Sequence, residues 1–177
     1  MRLFRFFALF IALWIVGISD THAQGSLRCE RETVGGNKRF VSSNLNLRSS
    51  PSRYGKVLVT LPKGELVYEY RLFDGWSQVN VASLNVTGFV ATRYLSETCI
   101  PGGGISRQSL SRDQIASILI AQSLGSYRGN CPCPYNTDSA GRSCGRRSAY
   151  SRPGGRSPLC YRSDVSAAQI EGFRTNW

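Results

Sequence analysis

Cysteine, arginine and aromatic side chains are the groups in this 177-residue sequence whose types and spacing could do chemistry. The six Cys are Cys29, Cys99, Cys131, Cys133, Cys144 and Cys160. The last four lie close enough together to hold zinc, to run redox chemistry or to form two disulfides. Cys131-Pro132-Cys133 is tighter than the usual spacing of a zinc knuckle, and the oxidoreductase pattern Cys-x-x-Cys is absent. A direct bridge across Pro132 would be badly strained. Two disulfides are therefore expected, either Cys131–Cys144 with Cys133–Cys160 or Cys131–Cys160 with Cys133–Cys144.

Histidine occurs once, as His22. Arg2 and Arg5 precede an apolar run from Phe6 to Ile18, and Thr21-His22-Ala23 offers small residues at the −3 and −1 positions of a cleavage site. Residues 1–23 thus read as a secretory signal peptide. The run is short for a bilayer, which takes about 20 helical residues. Arg28 before Cys29 argues against lipid anchoring. Cleavage after Ala23 would remove the imidazole, and with it Ser-His-Asp and Cys-His nucleophiles and His-ligated zinc hydrolysis. Carboxylates remain, but Asp138, Asp164 and Glu171 show no paired glycosidase spacing, and Asp164 reads as a helix cap. The expectation is an exported protein, periplasmic or extracellular, with no catalytic residues, cofactor or metal.

Lys and Arg number 22 against 11 Asp and Glu, a net charge of +11. Arginine dominates the basic set, and its planar fork favours bidentate contacts with oxyanions, although a GC-rich genome would produce the same bias. Arg128, Arg142, Arg146, Arg147, Arg152, Arg156 and Arg162 make the C-terminal half a cationic surface. Such a surface suits anionic partners: peptidoglycan stem carboxylates, lipid phosphates or nucleic acid. Tyr127, Tyr135, Tyr150 and Tyr161 interleave with these arginines as stacking groups do in nucleic-acid binders. Export disfavours a chromosomal partner.

The elements that must position these groups fall on either side of Pro101-Gly102-Gly103-Gly104, a linker signal. Residues 24–100 read as all-β, with short runs at Arg39–Ser42, Leu45–Arg48, Val57–Leu61, Leu66–Leu72, Trp76–Val81 and Thr87–Ala91. Strands this short and closely spaced predict a small barrel. Leu47, Val57, Val59, Leu61, Val67, Val79 and Val90 form the expected inward set by period-two logic. Cys29 and Cys99 flank this segment, where a bridge would close it for about 4 kcal/mol on the chain-entropy account. Residues 105–177 predict a helix over 112–124, opened by a Ser111/Gln114 capping box and stopped at Gly125. A shorter helix is expected from Val165 to Phe173, started by Ser163 or Asp164. Loops rich in Gly, Pro and Arg lie between them, ordered by disulfide staples.

Residues Leu45 to Ser52, the Leu61-Pro62-Lys63-Gly64 turn, Asp74-Gly75-Trp76, Gly88-Phe89-Val90 and Tyr94-Leu95 together resemble the bacterial SH3 domain of exported cell-envelope proteins, in the family's order and spacing. The resemblance implies an SH3-like barrel without a catalytic site, acting as a targeting module that binds peptidoglycan. The residues themselves suggest a groove: Tyr54, Tyr68, Tyr70 and Tyr94 have flat faces with polar tips. Trp76 and Phe89 follow turn glycines, and Arg48 and Arg53 suit a carboxylate. The C-terminal half is similar to Cys-rich segments of small exported bacterial proteins, which carry no assigned activity. The fold expected is mainly β: an SH3-like barrel, then a short-helix, loop-rich, disulfide-stapled module. The function expected is non-catalytic binding of peptidoglycan or another anionic envelope polymer, with an envelope protein as a further partner. The alternatives are a secreted nucleic-acid-binding or effector protein, or a small carboxylate-based envelope enzyme or accessory.

Overall fold

Alternation of apolar and polar residues builds the first part of the chain. The computed structural model describes residues 37–154 and 157–175. The expected leader, Cys29 and Arg156 lie outside the described residues. Seven strands form one antiparallel sheet: β1 (Lys38–Val41), β2 (Leu45–Arg48), β3 (Val57–Leu61), β4 (Leu66–Phe73), β5 (Trp76–Val81), β6 (Val86–Ala91) and β7 (Leu95–Ser96). Their order is β3-β2-β6-β5-β4-β1-β7. All six anticipated strand regions are present, and the protein is mainly β.

The sheet does not close into a barrel. β3 stands at one edge and the two-residue β7 at the other, and among the described residues no ladder joins them. Closure is one way to cover the apolar inner face. Here a helix from the second part of the chain adds apolar residues to the core. Helix α1 (Arg112–Ser126) packs on β3 and β6. Its Ile115, Ile118 and Ile120 join Leu47, Val59, Val79 and Val90 in one hydrophobic core.

Val57 corrects the expected inward set: it is 40% exposed, while its neighbour Leu58 is buried. The β2–β3 register shifts between Leu47 and Arg48, so Leu47 faces Val59 and Arg48 faces Val57. Leu58 is left unopposed, and the strict alternation that predicted Val57 fails at this bulge. A second shift leaves Tyr70 unopposed in β4, where Glu69 faces Val79 and Arg71 faces Gln78.

The capping box of α1 is present, with Gln114 N donating to Ser111 Oγ at 3.2 Å and Ser111 N to Gln114 Oε1 at 2.9 Å. Gly125 does not stop this helix. It lies inside α1, which runs on to Ser126 and is capped at Tyr127. Helix α2 (Ala167–Thr175) starts later than expected. Ser166 and Gln169 exchange hydrogen bonds at its start. Asp164 instead closes the preceding turn, accepting from Cys160 N and Tyr161 N, both at 2.8 Å.

Residues 101–104 are laid against the sheet. A Cβ at Gly102 would come within 2.2 Å of the Lys63 carbonyl oxygen, so only glycine fits this approach. Just beyond, Ile105 N donates to Glu65 Oε2 at 2.6 Å, and Ser83 Oγ donates to Glu65 Oε1 at 2.8 Å. Glu65 is 1% exposed. A buried carboxylate thus fastens the start of the second segment to the first. Further along, Arg107 Nε donates to Ser83 O at 2.9 Å.

The Cys-rich loops have little regular structure and are held by two disulfides, Cys131–Cys144 and Cys133–Cys160. This is the first of the two connectivities left open by sequence. Cys99 is also disulfide-bonded; its expected partner Cys29 lies outside the described residues. Disulfides of this kind mark an oxidising, exported environment. No described helix is long and apolar enough to cross a membrane.

Candidate functional site

Two grooves meet the outer face of the sheet. The first, of about 1020 Å³, gathers Arg48, Arg53, Trp76 and Tyr94 of the expected set, together with Phe73 and Arg93. Arg48 is the last residue of β2 and its Nη1 donates to Gly55 O at 2.8 Å, closing the loop that carries Arg53. Arg53 stacks over the Tyr54 ring at 4.7 Å and Arg93 over Tyr94 at 4.9 Å. The Asp74-Gly75 turn at the β4–β5 hairpin presents Phe73 and Trp76 on either side, with Gly75 at φ +67°. Asp74 also lines the groove, so three guanidinium groups face one carboxylate. Excess positive charge beside flat rings suits a ligand with carboxylates and small apolar faces.

The second groove, of about 920 Å³, runs between the same sheet face and the C-terminal half of α1. Phe89 lines this groove, and its ring meets Phe73 edge-on at 5.4 Å. Gln78 and Asn80 of β5 and Thr87 of β6 lie beside it, facing Leu119, Gln122 and Ser123. The ladder explains the continuity: Trp76 pairs with Ala91, Gln78 with Phe89 and Asn80 with Thr87. Period two puts these pairs in line on one face, so Ala91 of the first groove and Phe89 of the second are next neighbours along it. Tyr54, Tyr68 and Tyr70 line neither groove. Tyr70 is 62% exposed on its bulge.

The C-terminal arginines divide in a similar way. Arg142, Arg146, Arg147 and Arg152 border a depression of about 500 Å³ around Asp138. Asp138 Oδ2 pairs with Arg142 Nε at 3.0 Å and Arg147 Nη1 at 3.2 Å. The Arg142 backbone N–H holds the Asp138 carboxyl down at about 2, against partial burial, and Arg147 and the Ala140 N–H add to it. Arg162 sits apart, paired with Asp113 at 2.6 Å. Arg128 is exposed and borders neither groove nor the depression.

Tyr135, Tyr150 and Tyr161 meet edge to face, with centroids 5.7 and 5.4 Å apart. Tyr150 donates its hydroxyl to Asp164 at 3.0 Å. That bond raises the Tyr150 hydroxyl above its usual range, and burial raises Tyr135. Burial pushes Asp164 upward, but the Tyr161 and Cys160 N–H groups and the Tyr150 hydroxyl outweigh it and hold the carboxyl below its ordinary value. The tyrosines expected to stack on a ligand thus also brace one another and the turn at Asp164.

Sequence reasoning missed Phe73, Arg93, the amide row of β5 and the Glu65 anchor. The amide row had a signal in the alternation Trp76-Ser77-Gln78-Val79-Asn80-Val81. Glu65 had none, because nothing local to a charged residue after a turn glycine announces burial. What fold and site define is a mainly antiparallel β protein with two neighbouring surface grooves and a disulfide-stapled cationic segment. No protein-family model matches the chain, and no curated protein matches it.

Proposed function

We propose that the protein is an exported, non-catalytic binding protein for peptidoglycan or another anionic cell-envelope polymer. The observation that carries this reading is the groove in which Arg48, Arg53 and Arg93 stand beside Trp76 and Tyr94. Guanidinium forks hold carboxylates in two-point contacts, and the rings accept short apolar side chains between them. The stem peptides of peptidoglycan combine those two features. The arginines around Asp138 add long-range attraction to the same polyanion. An SH3-like origin for the sheet belongs to this reading, supported by the ordered motifs at 45–52, 61–64, 74–76, 88–90 and 94–95. So does removal of residues 1–23 on export.

Co-sedimentation of the mature chain with purified sacculi tests the proposal. The protein pellets at moderate salt, and the Arg48→Ala/Arg93→Ala variant leaves most of it in the supernatant. Retention falls as salt rises, because exposed charges are screened over about 8–10 Å. No pelleting at moderate salt sinks the reading. Release of soluble muropeptides during the incubation would replace it with a catalytic one.

A further inference from the structure

We infer that the groove between the sheet and α1 is a subsite for a neutral glycan, so that one polymer is read along both grooves. The inference rests on the envelope-polymer reading above and assigns its sugar part. In a chain of net charge +11, none of the described residues that line this groove is charged. Carboxamides and hydroxyls take the place of arginines, from Gln78, Asn80, Thr87, Gln122 and Ser123. Such groups both donate and accept, as sugar hydroxyls do.

Three further observations favour a sugar over a peptide. First, β5, which floors the groove, is laddered to β4 on one side and β6 on the other, so its backbone groups are committed. An extended peptide docks by adding to a free edge, and β5 offers none. Second, among the described residues the Gln78 carboxamide makes no hydrogen bond. Gln122 is fixed instead: its Nε2 donates to Leu84 O at 3.1 Å and Asn85 O at 2.8 Å, which leaves Oε1 to accept. Third, the half-buried Phe89 ring is held edge-on by Phe73, a flat apolar surface for the face of a pyranose. The volume of about 920 Å³ is near the upper end of ordinary ligand clefts, about 300–1,000 Å³. The adjoining groove supplies the guanidinium groups, so an uncharged backbone and its acidic branches would find separate, contiguous places.

A neutral N-acetylglucosamine oligosaccharide, titrated into the mature full-length chain, tests this. Side-chain amide resonances of Gln78, Asn80 and Gln122 shift in NMR spectra while those of the arginine groove stay still. Gln78→Ala weakens the oligosaccharide about fivefold to tenfold, the worth of one or two hydrogen bonds. Gly125→Trp is the second variant: a Cβ at Gly125 meets no atom within 4 Å, so the fold survives while the indole obstructs the groove, and binding is lost. Arg128→Ala, at an exposed residue that lines neither groove, leaves oligosaccharide affinity within about twofold, since distant sites act independently. Silent amide resonances in a chain that still pellets with sacculi overturn the inference and spare the attachment reading. Oligosaccharide binding without pelleting overturns that reading and spares the subsite. Equal shifts with an uncharged Gly-Ala peptide would make the occupant a polypeptide and overturn the assignment, as would unchanged affinity in both groove variants.

Discussion

Glu65 is the residue on which the joining of the two segments turns. Its carboxylate is buried and takes the Ile105 N–H and the Ser83 hydroxyl. Removing it takes the partner from the half-buried Ile105 N–H, while the exposed Ser83 hydroxyl can turn to water. Glu65→Ala should therefore cost about 1–3 kcal/mol in urea unfolding, the cost of one orphaned buried group. A loss below measurement error would mean that the anchor is dispensable. Asp138 predicts a pH effect. Its folded value is about 2, below the ordinary 3.8. A depressed carboxylate contributes stability that is complete above the unfolded value and disappears as pH falls through the folded one. The loop carrying Arg142 and Arg147 should loosen between about pH 4 and pH 2. Amide exchange at Ala140 and Arg142 should report it, and Asp138→Asn should abolish that acid step.

Among the elements, the glycine run predicts a contrast inside four residues. Gly102→Ala would force a Cβ to 2.2 Å from a backbone oxygen, whereas a Cβ at Gly103 meets nothing within 4 Å. The first substitution should destabilise by about 1–3 kcal/mol, as overpacking does, and the second should be near neutral. Equal melting temperatures for the two variants would show that residues 101–104 behave as a free tether. The disulfides make a second contrast. Cys133–Cys160 spans 27 residues and Cys131–Cys144 spans 13. On the chain-entropy account they contribute about 3.5 and about 3 kcal/mol. Either double Cys→Ala variant should lower the urea midpoint, the wider loop slightly more.

The whole molecule is organised by a core that crosses from the sheet to both helices. Ile118 is fully buried within it. Ile118→Ala should cost about 2–4 kcal/mol, and the loss should register in the sheet as well as in α1. Hydrogen exchange at Val79 and Val90 should quicken with that at Ile120. Unchanged protection in the sheet would mean that the segments unfold separately. The second groove exists because the two segments pack together, so the same variant should weaken oligosaccharide binding.

The strands, the α1 capping box and the presence of disulfides were legible in the sequence because each depends on neighbours close in the chain. Alternation shows in Trp76–Val81, and Ser111 and Gln114 stand three residues apart. Where a feature depended on partners far along the chain, local pattern failed. Val57 points outward because the β2–β3 register shifts, α1 runs through Gly125, and Asp164 serves a turn instead of a helix. Arg48, Arg53, Trp76 and Tyr94 could be nominated by type, yet their company with Arg93 and Phe73 could not, since it depends on how β2, β4, β5 and β6 pair. By itself the sequence determined composition, charge, strand propensity and the menu of disulfide pairings. The tertiary structure decided the open sheet, the disulfide connectivity, the buried Glu65 anchor and the neutral groove. Local preferences act within a few residues, but burial and charge exclusion are properties of surfaces that exist only after distant segments have met.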